Sequence, residues 1–403
     1  MLTQLPEELR QTERGQTADR ILRACVHCGF CLATCPTYRE LGNELDSPRG
    51  RIYLIKALLE GEAVTEQTQL HLDRCLTCRA CETTCPSGVQ YSRLLEIGRE
   101  QMETQQPRPA IQRWQRKMLK WILPYRRRFN LLLRSGQWLR PLLPTRLKQK
   151  IPLSRGAGHW PTTQHTRRVL LFTGCVQPGL APNINSALAR LLDRLQISVT
   201  QITNEQCCGA LDLHLSDVGQ ARVFARRNID LWWPHIEAGA EAILVSASGC
   251  GVMVKDYGEL LASDPDYAKR ADRVAMLAQD PAEYLANKSV ESLGTVSGQI
   301  AFQSPCTLQH GQQLAGVTEN LLKRFGLDLL PVADAHQCCG SAGTYSILQP
   351  ALADKIREKK LVCLQAGSPE YIATANIGCL LHLQQGTDLP VRHWLEIVDA
   401  GLD

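Results

Sequence analysis

Residues 25–36 read CVHCGFCLATCP and residues 75–86 read CLTCRACETTCP. Both follow C-x2-C-x2-C-x3-C-P, the spacing with which one chain holds two [4Fe–4S] clusters. Three thiolates two residues apart wrap a loop around one cluster. The fourth, displaced and followed by proline, reaches the neighbouring cluster. The expected sets are therefore Cys25, Cys28, Cys31 and Cys85 for the first cluster, and Cys75, Cys78, Cys81 and Cys35 for the second. Pro36 and Pro86 are expected to turn the chain away, because proline cannot continue a helix. Zinc is the alternative for paired C-x2-C spacings. A zinc ion gives no reason for a third and a fourth cysteine at fixed intervals in both stretches. His27 lies inside a set that is already complete and reads as packing or hydrogen bonding near sulfur, not ligation.

Between the two motifs, DSPRGRIYLIKALLEGE (residues 46–62) places Ile52, Ile55 and Leu59 at helical spacing, so helices are expected to flank the cluster loops. The chain has 403 residues, of which seventeen are cysteine, 44% are hydrophobic and 21% are charged. That length suggests two or three domains and a buried core, which excludes a disordered chain and a disulfide-stapled miniature. An odd cysteine total also fits closed disulfide pairing poorly. The opening MLTQLPEELRQTERG is charged and has no apolar run, so it does not read as a signal peptide. No run of about 18 apolar residues predicts a membrane-spanning helix. A reducing compartment with metal-bound thiolates is the expected setting, and the location is read as cytoplasmic.

From about residue 169 the sequence repeats. TGCVQPG at Cys175 and SPCTLQHG at Cys306 are 131 residues apart, as are QCCGA at Cys207 and QCCGS at Cys338. SGC at Cys250 and IGC at Cys379 are 129 apart. Three matched intervals indicate an internal duplication. RRVLLF (167–172), ISVTQI (197–202), AEAILVS (240–246) and GQIAFQ (298–303) read as short strands, and NINSALARLLDRLQ (183–196) as an amphipathic helix. Such alternation predicts a parallel sheet with helical cover, whose ligands collect at strand C-termini. Each half offers four thiols: Cys175, Cys207, Cys208 and Cys250, then Cys306, Cys338, Cys339 and Cys379. Three readings stay open for them: a further iron–sulfur cluster in one or both halves, buried thiols without metal, or another metal or dithiol chemistry. Cys363 has no counterpart and reads as a buried free thiol. The predicted class is α+β overall: a helical two-cluster ferredoxin-like module (1–103), a basic connector (104–168) and two duplicated α/β cysteine-rich domains (169–295 and 296–403).

The connector holds 16 Lys and Arg and no Asp or Glu, whereas the remaining 338 residues carry 29 basic and 40 acidic side chains. Ile111, Trp114, Met118 and Trp121 share a predicted helical face, Arg113, Arg116, Lys117 and Lys120 fall around it, and Pro124 ends or kinks that helix. Three roles fit: attachment to a membrane surface, docking on an acidic partner, or packing against the protein's own acidic domains. No recognition motif accompanies the basic residues, so no nucleic-acid partner is expected.

The two cysteine motifs followed by duplicated C…CCG…GC halves resemble the iron–sulfur subunits of bacterial glycolate oxidases, most closely in FTGCVQPGLAPNINSA (172–187) and CCGSAGTYSILQP (338–350). Related arrangements occur in lactate-utilisation, anaerobic glycerol-3-phosphate dehydrogenase and heterodisulfide reductase subunits. The resemblance implies an electron-transfer subunit at the inner face of the cell inner membrane. It would take electrons from flavin-containing partners that oxidise glycolate to glyoxylate and pass them toward quinone. D-lactate, another 2-hydroxy acid or glycerol-3-phosphate is the alternative substrate of such a complex, and thiol–disulfide reduction by the CCG cysteines an alternative chemistry. Each CCG half of the family usually ends in C-x2-C, but Met253 and His382 stand at the last position here. The unusual clusters of heterodisulfide reductase are therefore not carried over. The sequence shows no G-x-G-x-x-G after a strand, no G-x-S-x-G, no H-E-x-x-H and no P-loop. Substrate oxidation needs a hydride acceptor, so the chain alone is not expected to be catalytic.

Overall fold

The computed structural model describes residues 1–144, 148 and 151–402. Residues 145–147, 149 and 150 of the expected connector, and Asp403, lie outside the described residues.

The N-terminal hundred residues are helical. In α1 (Glu13–Ala24) the Thr12 side chain caps the first turn by accepting from Gly15 N, and in α2 (Pro48–Leu59) Ser47 caps by accepting from Gly50 N. Together with α3 (Tyr91–Gln105) they bury Ile21, Leu22, Ile52, Ile55, Leu94, Leu95 and Met102 in one core. Pro36 departs from expectation: it opens the short helix Pro36–Leu41. The first helical position needs no N–H and suits a fixed φ, so proline starts a helix there although it cannot continue one.

Next come α4 (Ala110–Ile122) and α5 (Arg126–Leu139), neither with a buried residue. Pro124 falls between them, as its chemistry requires.

The C-terminal part holds two parallel sheets among the described residues, with the same strand order. In the first, β1 (Arg167–Phe172) lies between β2 (Ile197–Gln201) and β3 (Ile243–Val245), and β4 (Ala278–Gln279) follows β3. In the second, β5 (Gln299–Gln303) lies between β6 (Asp328–Leu329) and β7 (Tyr371–Thr374), and β8 (Val391–His393) follows β7. Their apolar runs are buried nearly throughout, as parallel strands covered on both faces require. Covering and site-bearing helices are α6 (Asn183–Arg194), α7 (Val218–Glu237), α8 (Ser248–Lys255), α9 (Pro350–Gln365) and α10 (Ile377–Gln384). One apolar core runs through both halves, from Val169, Leu171 and Leu188 to Ile300, Phe302, Ile372 and Trp394. Arg190 closes it with hydrogen bonds of 3.0 Å to both carboxylate oxygens of Asp399.

Candidate metal centres

Two cysteine-lined clefts lie in the helical module. The first is walled by Cys25, Cys28, Cys31, Cys81 and Cys85 and completed by Val26, Phe30, Ile52, Val89 and Tyr91. The second is walled by Cys35, Cys75, Cys78 and Cys81, with Arg51, Leu76 and Tyr91. The first cleft thus gathers three cysteines of the first motif and two of the second, the second gathers three of the second motif and Cys35 of the first, and Cys81 lines both. The donor set, cysteine sulfur from both motifs in each cleft, fits an iron–sulfur cluster in each.

The same backbone device shapes both loops. His27 and Thr77 stand at equivalent motif positions with φ of 56°, and Gly29 and Arg79 follow with φ of 86° and 60°. Left-handed conformations at non-glycine residues cost free energy and persist where a bound group or its surroundings require them. One result is that Thr77 N points at Cys75 Sγ, 3.4 Å away. His27 Nε2 lies 2.6 Å from Met1 Sδ. Burial, the terminal ammonium and Arg49 push its pKa down, so it packs as a neutral ring beside the sulfurs.

Arg51 is the buried charge of the second cleft, 1% exposed. It donates to His71 O at 2.7 Å, Thr37 Oγ1 at 3.0 Å and Asp46 Oδ1 at 3.3 Å, with Nη1 4.0 Å from Cys35 Sγ. Burial opposes its charge, but Cys75, Tyr91, Cys35 and Asp46 outweigh that and raise its pKa. Tyr91 OH donates to Cys75 Sγ at 3.6 Å. Burial drives the Cys78 and Cys81 thiols well above their ordinary range, and the neighbouring sulfurs push the same way.

In the α/β halves every motif cysteine stands beyond a strand C-terminus. Cys175 follows β1, Cys207 and Cys208 follow β2, and Cys250 lies in the first turn of α8 after β3. Cys306 follows β5, Cys338 and Cys339 follow β6, and Cys379 lies in the first turn of α10 after β7. Each half brings its four sulfurs together. Cys175 Sγ is 3.8 Å from Cys207 Sγ, Cys306 Sγ is 3.7 Å from Cys338 Sγ, and Cys339 Sγ is 3.1 Å from Cys379 Sγ. The Cys208 and Cys250 side chains also interact. Cys207 accepts from Cys175 and Cys208 and is held well below the usual thiol range, whereas both donors are pushed up. Cys306 is pushed up by its donation to Cys338 and by burial. No disulfide joins any of the seventeen cysteines.

The glycines of the QCCG loops make room for a helix. Gly209 has φ of 94° and Gly340 of 91°, and a Cβ there would stand 3.1 Å from Ala221 O and 2.5 Å from Ala353 O. His382 Nε2 meets Ala353 O at 3.3 Å, in the place where the first half puts Met253. Cys363 is half-buried on α9 and not fully buried as expected, because it falls outside the helix's core stripe of Leu352, Ile356 and Leu361. Sequence reasoning missed Arg51, Asp46 and Lys360. Their types are ordinary in sequence, and only tertiary burial marks them out.

Residues 21–89 match the 4Fe-4S dicluster domain family, and residues 169–255 and 300–384 the Cysteine-rich domain family (CCG). The glycolate oxidase iron-sulfur subunit of Escherichia coli (strain K12) is 53% identical over 405 residues, covering 100% of both chains. The chain belongs to the family of glycolate oxidase iron–sulfur subunits. The probable glycolate oxidase iron-sulfur subunit of Bacillus subtilis (strain 168) is 30% identical across 90% of this chain and 88% of its own. Lactate utilization protein A of Shouchella clausii is 26% identical across 58% of this chain and 98% of its own. A crystal structure of a hypothetical protein from Helicobacter pylori shares the fold, with a TM-score of 0.53 at 9% identity over 97% of this chain and 73% of that one. As in this family, the chain is an iron–sulfur protein.

Proposed function

We propose that the protein is the electron-transfer subunit of a glycolate-oxidising complex, taking electrons from flavin-containing partner subunits and delivering them to quinone at a membrane surface. The pair of clefts, each lined by cysteines of both motifs, carries the reading. Cys25, Cys28, Cys31 and Cys85 would hold one cluster, and Cys75, Cys78, Cys81 and Cys35 the other. When bound, such clusters accept and release one electron at a time. The chain's residues exclude water with Ile52 and Val89, and stabilise negative charge on sulfur with Thr77 N, Tyr91 OH and the Arg51 guanidinium. The four sulfurs gathered in each α/β half make them candidates for further clusters. Residues 1–103, 104–168, 169–295 and 296–403 would form the working units.

Delivery to a membrane falls to α4 and α5. Ile111, Trp114, Trp121, Leu131, Leu132 and Trp138 are exposed, Trp138 by 81%. Arg113, Lys117, Arg126, Arg127 and Arg134 are exposed beside them. Tryptophans among basic side chains suit the headgroup level of an anionic bilayer. No helix among the described residues is long and apolar enough to cross one, so attachment would be peripheral and on the cytoplasmic face. Other basic residues of the segment serve the fold instead: Arg116 meets Asp73 at 3.1 Å and Lys120 meets Asp217 at 2.8 Å.

Anaerobic purification with iron and sulfide analysis, followed by electron paramagnetic resonance of the dithionite-reduced protein, tests the reading. About eight irons per chain are expected from the two clefts, and about twelve to sixteen if the halves are loaded. Glycolate should reduce these centres only when the flavoprotein partners are present. Glycolate-dependent dye reduction by the isolated chain would overturn the assignment.

A further inference from the structure

The two α/β halves arose by duplication, yet only one presents its sulfurs to the cluster-bearing module. Leu76, between Cys75 and Cys78, is buried together with Cys306, Cys338 and Tyr345, and Cys78 packs on that group. Hydrogen bonds fasten the cluster loops to the cysteine loops of the second half: Thr83 Oγ1 to His310 Nδ1 at 2.8 Å, Gln337 Nε2 to Thr34 O at 3.4 Å, and Tyr345 OH to Arg74 O at 3.0 Å. The first half meets the module through Asp256, 2.5 Å from Arg79, through Glu259, paired with Arg93, and through Ser263, whose Oγ donates to Glu13 at 2.6 Å. All three lie beyond the last turn of α8, whereas Cys250 is in its first turn.

Charge separates the halves as well. Gly209 approaches Ala221 on α7 as Gly340 approaches Ala353 on α9, which fixes the register of the two helices. Seven residues further along each helix stand Asn228 and Lys360. Asn228 is neutral and bridges Gln206 N and Cys207 O. Lys360 is 3% exposed, and its Nζ donates to Asp334 O and Ala335 O, both at 3.0 Å; burial pushes its pKa down, and Cys339 and Cys338, within electrostatic reach, push it back up. The first half places the carboxyl of Asp212 within electrostatic reach of Cys207, where the matching position of the second half is Gly343, and burial and Cys207 both push that carboxyl's pKa up. A buried positive charge favours the reduced, more negative state of a nearby centre, and buried carboxyls disfavour it.

We propose that the thiol set of the second half takes electrons directly from the cluster held by Cys75, Cys78, Cys81 and Cys35, and that the Lys360 ammonium raises its reduction potential above that of the first half. The inference rests on the reading that the second half binds an iron–sulfur centre. With both sites loaded, Cys75, Cys78, Cys81 and Cys35 would hold the donor of one electron and the second-half cysteines its acceptor; no bond would break, and the Lys360 ammonium would offset the added negative charge.

The test is a redox titration, followed by paramagnetic resonance, of the full-length, anaerobically loaded protein in its complex. Lys360→Met, and Lys360→Asn as the residue type of the first half, should shift one centre's reduction equilibrium at least tenfold toward the oxidised form. That is about 59 mV for one electron. Iron content should be unchanged, and Lys360→Arg should restore most of the shift. The shifted centre should show spin–spin interaction with one cluster of the helical module. Unmoved midpoints in both neutral variants, or an Arg variant that behaves like them, would overturn the role of Lys360. Absence of the spin–spin interaction would overturn the direct transfer. The paired Cys338→Ser and Cys339→Ser protein separates the reading beneath: unchanged iron and spectra there would show that the second half holds no cluster, and the inference falls with it.

Discussion

Arg51 carries a full charge in a place with almost no water, which only its partners make tolerable. Asp46 faces it at 3.3 Å and also meets His71 at 3.0 Å and Arg74 at 3.1 Å, with Asp46 itself fully buried. Removing one member of a buried, hydrogen-bonded charge group costs roughly 3–5 kcal/mol because the remaining charge is stranded. Arg51→Met is therefore expected to destabilise the loaded protein by about that much in anaerobic chemical denaturation. Arg51→Lys should recover little, since one ammonium cannot reproduce a planar fork reaching His71 O, Thr37 and Asp46. Asp280 poses the opposite problem. It caps the helix Pro281–Leu285 through Oδ1, which accepts from Ala282 N, while Oδ2 is buried without a partner. Burial raises its pKa from 3.8 to about 7. Between those values the folded state holds a proton that the unfolded chain has lost, so stability falls as pH rises from about 4 to about 7 and levels off above. Asp280→Asn keeps the capping oxygen and removes the charge. Its melting temperature should gain on that of the parent across this window, and parallel curves would show that the carboxyl does not titrate there. The cysteines were legible in sequence because their spacing carries the chemistry. Arg51 and Asp280 were not, because an arginine or an aspartate becomes informative only when distant elements bury it.

Helices and strands were more legible than single side chains. Ile52, Ile55 and Leu59 marked α2, the RRVLLF and QIAFQ runs marked β1 and β5, and their apolar residues lie buried as their spacing requires. Pro36 was read as a stop and proved a start, since one residue type serves both ends of the rule and its neighbours decide which. The amphipathic stripe of α4 was readable, but not its direction. Sequence periodicity states that one face is apolar, not whether protein or solvent meets it. Here Trp114 and Trp121 remain exposed, 60% and 51%, while Arg116 and Lys120 on other faces pair with Asp73 and Asp217. Arg128 stacks on Trp121 and Tyr125 with its carbon 4.8 and 4.2 Å from the ring centroids, keeping a cation at the apolar edge. Replacing Trp114, Trp121 and Trp138 together by Glu should abolish co-sedimentation with vesicles containing anionic lipid while leaving stability nearly unchanged, because none of the three is buried. Binding by the parent should weaken at high salt. Retention of the triple variant on vesicles would shift the proposed membrane contact elsewhere.

At the scale of the molecule, duplication was visible as matched cysteine intervals, and the shared strand order of the two sheets follows from it. What the intervals could not reveal is that the copies are inequivalent. That depends on contacts such as Tyr345 with Arg74, 271 residues apart in sequence. Those contacts cover the Cys75 side of the helical module with the second half and leave the Cys25 side open. Cys28 is alone among the seventeen cysteines in being exposed, and Val26 and Phe30 beside it are 68% and 62% exposed. An exposed apolar rim around a redox centre suits a partner that must come close without water between them. Electrons from a flavoprotein are thus expected to arrive at the Cys25 side and travel inward through the Cys75 side. Val26→Glu with Phe30→Glu should leave iron content and the dithionite-reduced spectrum unchanged, because neither side chain is buried. The same protein should lose at least about tenfold in the rate at which glycolate and the flavoprotein subunits reduce it, the equivalent of roughly 1.4 kcal/mol in the encounter. If that rate holds while the vesicle-binding variant loses it instead, the partner approaches from the side of α4 and α5, and the direction of travel through the module is reversed.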